Sequence, residues 1–222
     1  MEPLIDASTL AALTGSTHAE NLARRAAQVA NEGNAALAAQ LVEQSCNAQP
    51  TVPVLFLAFQ FHFRTGNISR ARDVALQRVK LAEQAADASQ HARAWSNFGL
   101  AALWQQDIAA ARSAAERAIA LSNAANDPLS LSRDLALLAQ VHEADKQWLA
   151  ARDLYLHALA LAEQTGEPAR IATKLSNLGD VYMALGDSAA AAKCWHRALR
   201  LLAEVGKLRW HAECEAKLRA LP

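Results

Sequence analysis

One constant shift, the one that carries Ala71 onto Ala111, maps this chain onto itself and constrains it more than any single motif does. Ala71, Ala111, Ala151 and Ala191 fall in one column and Leu81, Leu121, Leu161 and Leu201 in another. Val79, Ile119, Leu159 and Leu199 form a third column, and Leu55, Trp95, Leu135 and Leu175 a fourth. Ser96-Asn97-Phe98-Gly99 and Ser176-Asn177-Leu178-Gly179 are nearly one string, two periods apart. No insertion breaks the columns. Such a period marks stacked supersecondary units, each too small to bury its apolar face alone.

Within a unit the spacing is helical twice over. Trp95, Phe98, Gly99, Ala102 and Leu103 recur at steps of three and four; after Gln105-Gln106-Asp107 the pattern resumes at Ile108, Ala111, Ala114, Ala115, Ala118, Ile119 and Leu121. The matching breaks are Gly66-Asn67, Lys146-Gln147 and Gly186-Asp187. Gly-Asn and Gly-Asp suit a helix exit followed by an N-cap. Between units, Asn126-Asp127-Pro128 and Gly166-Glu167-Pro168 place proline where a helix starts and its missing donor is unused. Nothing reads as a strand.

Upstream the register shortens. Gly33-Asn34 precedes Gly66-Asn67 by less than the later period, Ala38 takes the alanine column, and Pro50 closes the unit. Thr17-His18-Ala19-Glu20 has the form of a capping box. The spacing predicts one domain over 1–222: a segment 1–16 with a short helix at 6–13, repeats at 19–51, 52–91, 92–131, 132–171 and 172–206, and a capping helix at 207–222. The charges of that last helix (Lys207, Arg209, Glu213, Glu215, Lys217, Arg219) are expected to face water.

Composition narrows the function classes. Apolar residues are 52% of the chain and aromatics only 5%, so thin, closely stacked helices are expected. Lys plus Arg and Asp plus Glu are each 22, and the balance holds locally, with 8 of each sign before residue 101 and 14 of each after it. That argues against a nucleic-acid partner, whose phosphates demand a basic surplus. Arg24-Arg25 reads as decoration of a solvated helix face. Met1-Glu2-Pro3-Leu4-Ile5-Asp6 lacks a signal-peptide pattern. The apolar run from Val52 to Phe59 is too short to insert in a membrane and is broken by Pro53. Cys46, Cys194 and Cys214 are odd in number and scattered, as reduced thiols are. The expectation is a cytoplasmic protein.

Catalytic and metal motifs fail on inspection. His142-Glu143 opens like a zinc-protease helix, but the position for the second histidine is Lys146. Cys194-Trp195-His196 and His211-Ala212-Glu213-Cys214 suggest a metal cluster, yet Cys194 and His196 point about 200° apart on a helix. No glycine-rich phosphate loop and no nucleophile signature is present. No catalytic residue, metal or cofactor is expected.

The columns resemble the tetratricopeptide repeat. A small residue (Gly99, Ala139, Gly179) follows a large apolar one; three residues on comes Ala102, His142 or Tyr182; the alanine column, then Ala75, Ala115, Tyr155 or Trp195, and finally Ala118, Ala158 and Ala198 complete the pattern. The first unit has the family's common length of about 34 residues. Later units are longer, most simply through an extended second helix, and are similar to those of kinesin light chain and of bacterial regulatory repeat domains. In the second unit Phe59 fills the small-residue slot and Arg78 the later alanine slot, so that unit either packs less regularly or uses Phe59 to fill a gap beside Ala58.

This resemblance implies an all-α fold: a right-handed α-solenoid of antiparallel helix hairpins, about five repeats and a cap. It implies a concave groove lined by the first helix of each hairpin, with nothing else in the molecule covering it. The groove would include Phe56, Gln60, Phe63 and Arg64; Arg93, Ser96, Asn97, Leu100 and Trp104; Arg133, Leu137, Gln140 and Glu143; and Thr173, Ser176, Asn177, Asp180 and Met183. In the family an asparagine at the slot of Asn97 and Asn177 bonds a peptide backbone, because an amide both donates and accepts. Bonding between neighbouring helices is the alternative. Trp104 is either an aromatic anchor or ordinary packing. Arg64, Arg93 and Arg133 are either a stripe for acidic ligands or solvated arginines. The slots matching Asn97 hold Arg24, Leu57 and Leu137 in other units, which does not reproduce the clamp used on C-terminal chaperone tails.

The function implied is a non-enzymatic adaptor or scaffold that binds a peptide or helix of another protein and is itself a monomer or weak homo-oligomer. A ligand-responsive regulator and a self-assembling scaffold are the alternatives.

Overall fold

Short polar side chains open most of the helices. Thr17 accepts from the Glu20 N–H at 3.2 Å, Asn34 from Leu37 at 3.1 Å and Asn67 from Arg70 at 3.3 Å. Asp87, Asp107, Asp127 and Asp187 do the same for Gln90, Ala110, Ser130 and Ala190. Pro128 and Pro168 stand at the first helical positions, where they remove no useful donor.

The structure is a computed structural model that describes residues 3–15, 17–206 and 208–221. Its helices are α1 (Ala7–Ala11), α2 (His18–Asn31), α3 (Ala35–Ala48), α4 (Val52–Arg64), α5 (Ile68–Gln84), α6 (Ala88–Trp104), α7 (Ile108–Ala124), α8 (Pro128–Ala144), α9 (Trp148–Thr165), α10 (Pro168–Ala184), α11 (Ser188–Glu204) and α12 (Leu208–Arg219). Among the described residues there is no strand. The all-α architecture of antiparallel helix pairs is therefore as the repeat implies.

The chain divides into two compact units, Met1–Leu121 and Ser122–Pro222, with the division inside α7. In the first, α2 pairs with α3 and α4 with α5, while α4 also meets α1, α2 and α6. In the second, α8 pairs with α9 and α10 with α11; α9 packs on α10, and α12 on α11.

In the second repeat the second helix alone is lengthened, as expected, with 13 residues in α4 and 17 in α5; in the later repeats both helices are. Helices α2 and α3 have 14 residues each, whereas α6, α7, α8, α10 and α11 have 17. The difference adds about 4.5 Å to each helix. The cause lies in the turns. From Gly66 onward, residues with positive φ occur at 66, 86, 106, 126, 146, 166, 186 and 206, an even spacing of half a repeat. Each half of the long unit is thus one helix and a short turn.

The alanine column is the deepest part of the packing: Ala71, Ala111, Ala151 and Ala191 are all fully buried. So are Ala118, Ala158 and Ala198. The fourth member of that last column is Arg78, 2% exposed, with its guanidinium 4.8 Å over the Phe56 ring and bonded to Gln90 at 2.8 Å. Phe59, in a small-residue slot, is buried and stacks on Phe63 at 5.5 Å.

Candidate functional site

The first helices of the hairpins carry every residue expected in the groove. In the first unit these are α4 and α6. Phe56 is half-buried and covers Arg78, so its ring is spent on packing. Phe63 lies edge-on to Trp104 at 5.4 Å. Trp104 ends α6 with 64% of its surface exposed, far more than the other large apolar side chains near it. Leu100, half-buried, supports the same face. Ser96 is 4% exposed.

Two polar atoms on α6 are buried without a hydrogen-bond partner: Arg93 Nε and Asn97 Nδ2. They are one turn apart on one helix face. An unmade hydrogen bond of this kind costs about 1–3 kcal/mol. Leu100 and Trp104 continue the same stripe toward the helix end.

Gln60 and Arg64 on α4 are engaged by the chain's own N-terminal segment. Gln60 Nε2 donates to Thr9 Oγ at 3.0 Å, and Arg64 Nη1 donates to the carbonyls of Leu4 at 2.6 Å and Pro3 at 3.1 Å. On α2, Arg24 donates to the carbonyls of Leu13, at 2.7 Å, and of Gly15. Arg24 is therefore a structural tie and not the solvated decoration read from the sequence. The expectation that nothing in the molecule covers this face also fails here: Ile5 and Leu13 are buried at 1% and 4% exposure and draw residues 3–13 onto α2 and α4. Asn31 and Arg24 occupy groove slots, and that was the available signal.

In the second unit polar residues of α8 and α10 bond within their own helices and to Ser122, α9 and α12. Arg133 donates from Nε and Nη2 to Asp134 Oδ1, at 3.0 and 2.8 Å, and the fully buried Asp134 accepts from Ser122 at 2.5 Å. Leu137 is buried, and Gln140 and Met183 are half-buried. Thr173 donates to the Ala169 carbonyl at 2.9 Å. Asn177 Nδ2 donates to the buried Tyr155 hydroxyl at 3.4 Å, a long bond between neighbouring helices. Glu143 also bonds Tyr155, but its Oε1 has no partner, and burial raises its carboxyl above the ordinary range. Burial does the same to Asp180, against the opposing pull of Lys217.

Lys217 on α12 was expected to face water. Instead its Nζ donates to Asp180 at 2.6 Å and to Ser176 Oγ at 3.1 Å. It falls one full period after Asn177, in the same slot, so α12 acts as the first helix of a further, partial unit. Glu213 is exposed and Glu215 bonds Arg219; Lys207 and the side chain of Arg209 lie outside the described residues. Between α10, α11 and α12 a cavity of about 240 Å³ is lined by Thr173, Ser176, Asn177, Trp210, Glu213 and Lys217, among others.

The remaining motifs are ordinary. His142 Nδ1 meets Gln147 Oε1 at 2.5 Å across the α8–α9 turn. Cys194 is half-buried and His196 exposed. Among the described residues no group of three His, Cys, Asp or Glu side chains could hold a metal ion, and no helix is long and apolar enough to cross a membrane.

Helix pairs with small residues at their crossings and a first-helix face carrying polar and aromatic side chains define a protein with the tetratricopeptide-like repeat fold. Solved structures of that fold are similar to this chain. One is BtubC (BKLC) from P. vanneervenii, 18% identical, with a TM-score of 0.68 over 84% of this chain and 80% of that one. Another is a putative kinesin light chain with nearly identical TPR-like repeats from Podosopora anserina, 15% identical, with a TM-score of 0.63 over 86% and 99%. Aspartyl phosphate phosphatase F from Bacillus subtilis is 14% identical, with a TM-score of 0.77 over 89% of this chain and 54% of that one. At such identities the likeness is one of fold. No family model matches the chain, and no curated protein matches it.

Proposed function

We propose that this chain is a non-enzymatic adaptor of the cytoplasm that binds a peptide segment or helix of a partner protein along α6. The observation that supports this reading is the pair of unpartnered, shielded donors, Arg93 Nε and Asn97 Nδ2, on the stripe that ends at the exposed Trp104. Peptide carbonyls or a carboxylate supply acceptors for both, with the Asn97 amide turning outward to reach them. Trp104, already braced edge-on by Phe63, offers a rigid aromatic surface for an apolar side chain. The even charge balance favours a protein partner over nucleic acid.

A second reading, a regulator gated by a small ligand, draws support from the α10–α12 cavity. Its 240 Å³ lies below the roughly 300–1,000 Å³ of most ligand clefts, so it suits a molecule no larger than an amino acid.

A random-peptide display library selected on the wild-type chain tests the first reading. Enriched peptides are expected to protect amides of residues 93–104 from hydrogen exchange and to lose binding to Trp104→Ala. Enrichment of peptides that bind Trp104→Ala equally well would remove α6 from the account.

A further inference from the structure

One end of the first-helix face in the first unit already holds a peptide, and that peptide belongs to the chain. Asn31 grips Ile5 on both sides of its backbone. The Ile5 N–H donates to Asn31 Oδ1 at 2.9 Å, and Asn31 Nδ2 donates to the Ile5 carbonyl at 3.0 Å. The Ile5 side chain is 1% exposed and packs in the core cluster with Leu4 at its edge. Arg64 takes the carbonyls of Pro3 and Leu4, and its Nη2 lies 3.7 Å from the Asp6 carboxylate. Pro3–Asp6 is non-helical throughout.

The gripping residues Asn31 and Arg64 share one place in the repeat, which Trp104 takes on α6. Asn31, Arg64 and Trp104 fall in a single column, the first step being the shorter upstream spacing and the second the full period. All three end the first helix of their hairpin. An amide that bonds both the N–H and the C=O of one residue reads main chain without regard to sequence. Selectivity then comes from the buried pocket for an aliphatic side chain. The Arg64–Asp6 pair is solvent-exposed and adds orientation more than affinity.

We propose that the face of α2 and α4 is a peptide-binding site whose resident ligand is Pro3–Asp6. Its external ligand is an extended peptide of the same chemistry: an aliphatic residue whose backbone pairs with Asn31, followed directly by a carboxylate for Arg64. The resident segment is tethered, so it competes at an effective concentration in the millimolar range. An external peptide binds by displacing it, and the site is silent toward weak ligands. Asn31 and Arg64 lie on α2 and α4, off the α6 stripe, and failure of one site leaves the other untouched.

The test uses the full chain and a fluorescein-labelled synthetic peptide with the sequence of residues 1–14. Ile5→Asp unseats the resident segment, and this variant is expected to bind the peptide about 10-fold more tightly than wild type. Adding Asn31→Ala to Ile5→Asp removes the gain. In the wild-type chain, millimolar peptide is expected to speed hydrogen exchange at the Ile5 amide without changing exchange in α5. Equal affinity of wild type and Ile5→Asp, both with wild-type far-ultraviolet circular dichroism, overturns the proposal. If Ile5→Asp does not fold, an Ile5 amide whose exchange ignores the added peptide overturns it. Light scattering that shows a wild-type dimer dissociated by Ile5→Asp also overturns it, since the segment would then be seated on a second copy.

Discussion

The backbone of Gly179 rests on the indole of Trp195. A Cβ at residue 179 would fall 2.7 Å from Trp195 Cδ1 and 2.8 Å from Cε2, closer than side chains pack. The ring cannot retreat, because it is 3% exposed and its Nε1 donates to the Ser176 carbonyl at 3.1 Å. Helix α10 and helix α11 therefore cross at a point only glycine permits.

Gly179→Ala sets two effects against each other. Alanine gains about 1 kcal/mol of helix propensity, whereas overpacking a filled site costs about 1–3 kcal/mol. With the indole held by a hydrogen bond, the clash outweighs the propensity gain. Urea denaturation is expected to show a lower midpoint with an unchanged slope; a midpoint at or above wild type would show that the ring yields.

Lys174 gives a signature in pH. Burial, reinforced by Arg170 and Arg133 and opposed by Asp134, pulls its amine from the ordinary 10.5 down to about 8. Between those values the unfolded chain binds the proton and the folded chain does not, so this group makes stability rise with pH across about 8 to 10.5. Below pH 8 the whole penalty, on the order of 3 kcal/mol, is present. Lys174→Met is expected to be more stable than wild type at pH 7 by about 1–3 kcal/mol, with the advantage shrinking toward pH 10.5. An advantage that does not change with pH would contradict the assignment.

Turn residues offer a milder test. The turn inside each hairpin needs a left-handed residue, supplied by Gly66 and Gly186 but by Gln106 and Lys146 in two units. A non-glycine residue there costs roughly 1–2 kcal/mol, and glycine gives part of that back as unfolded-state entropy. Lys146→Gly is expected to raise the thermal midpoint through a gain of up to about 1 kcal/mol, and Lys146→Val to lower it. Thermal melts followed by far-ultraviolet circular dichroism read both.

Much of the fold was legible because a repeat is stated several times in one chain. Any single match, such as Gly99 with Gly179, is weak, but four columns in register fix helix ends and the buried face together. The helix caps followed from the same register, as Asn67 and Asp187 demonstrate. The length of each half-unit was less legible. Gln106 and Lys146 take the left-handed conformation without being glycine, which hid the half-unit rhythm. The Leu81, Leu121, Leu161 and Leu201 column is only half-buried, because it lies near helix ends where packing thins.

The candidate site was legible in part. Columns indicate which residues share a face, but not what lies against it. Asn31 and Lys217 occupy groove slots, yet their partners, Ile5 and Asp180, are 26 and 37 residues away in a sequence that carries no pairing signal. Arg78 in an alanine slot marked an irregularity; its resolution, a guanidinium covered by Phe56, depends on three-dimensional packing.

The central claim, that α6 receives a partner peptide, is tested most directly by calorimetric titration. A peptide selected on the wild-type chain is titrated into wild type and into Arg93→Ala/Asn97→Ala. The account predicts a loss of at least about 10-fold in affinity, about 1.4 kcal/mol, with the folded structure retained. Equal affinity for the two chains would contradict it.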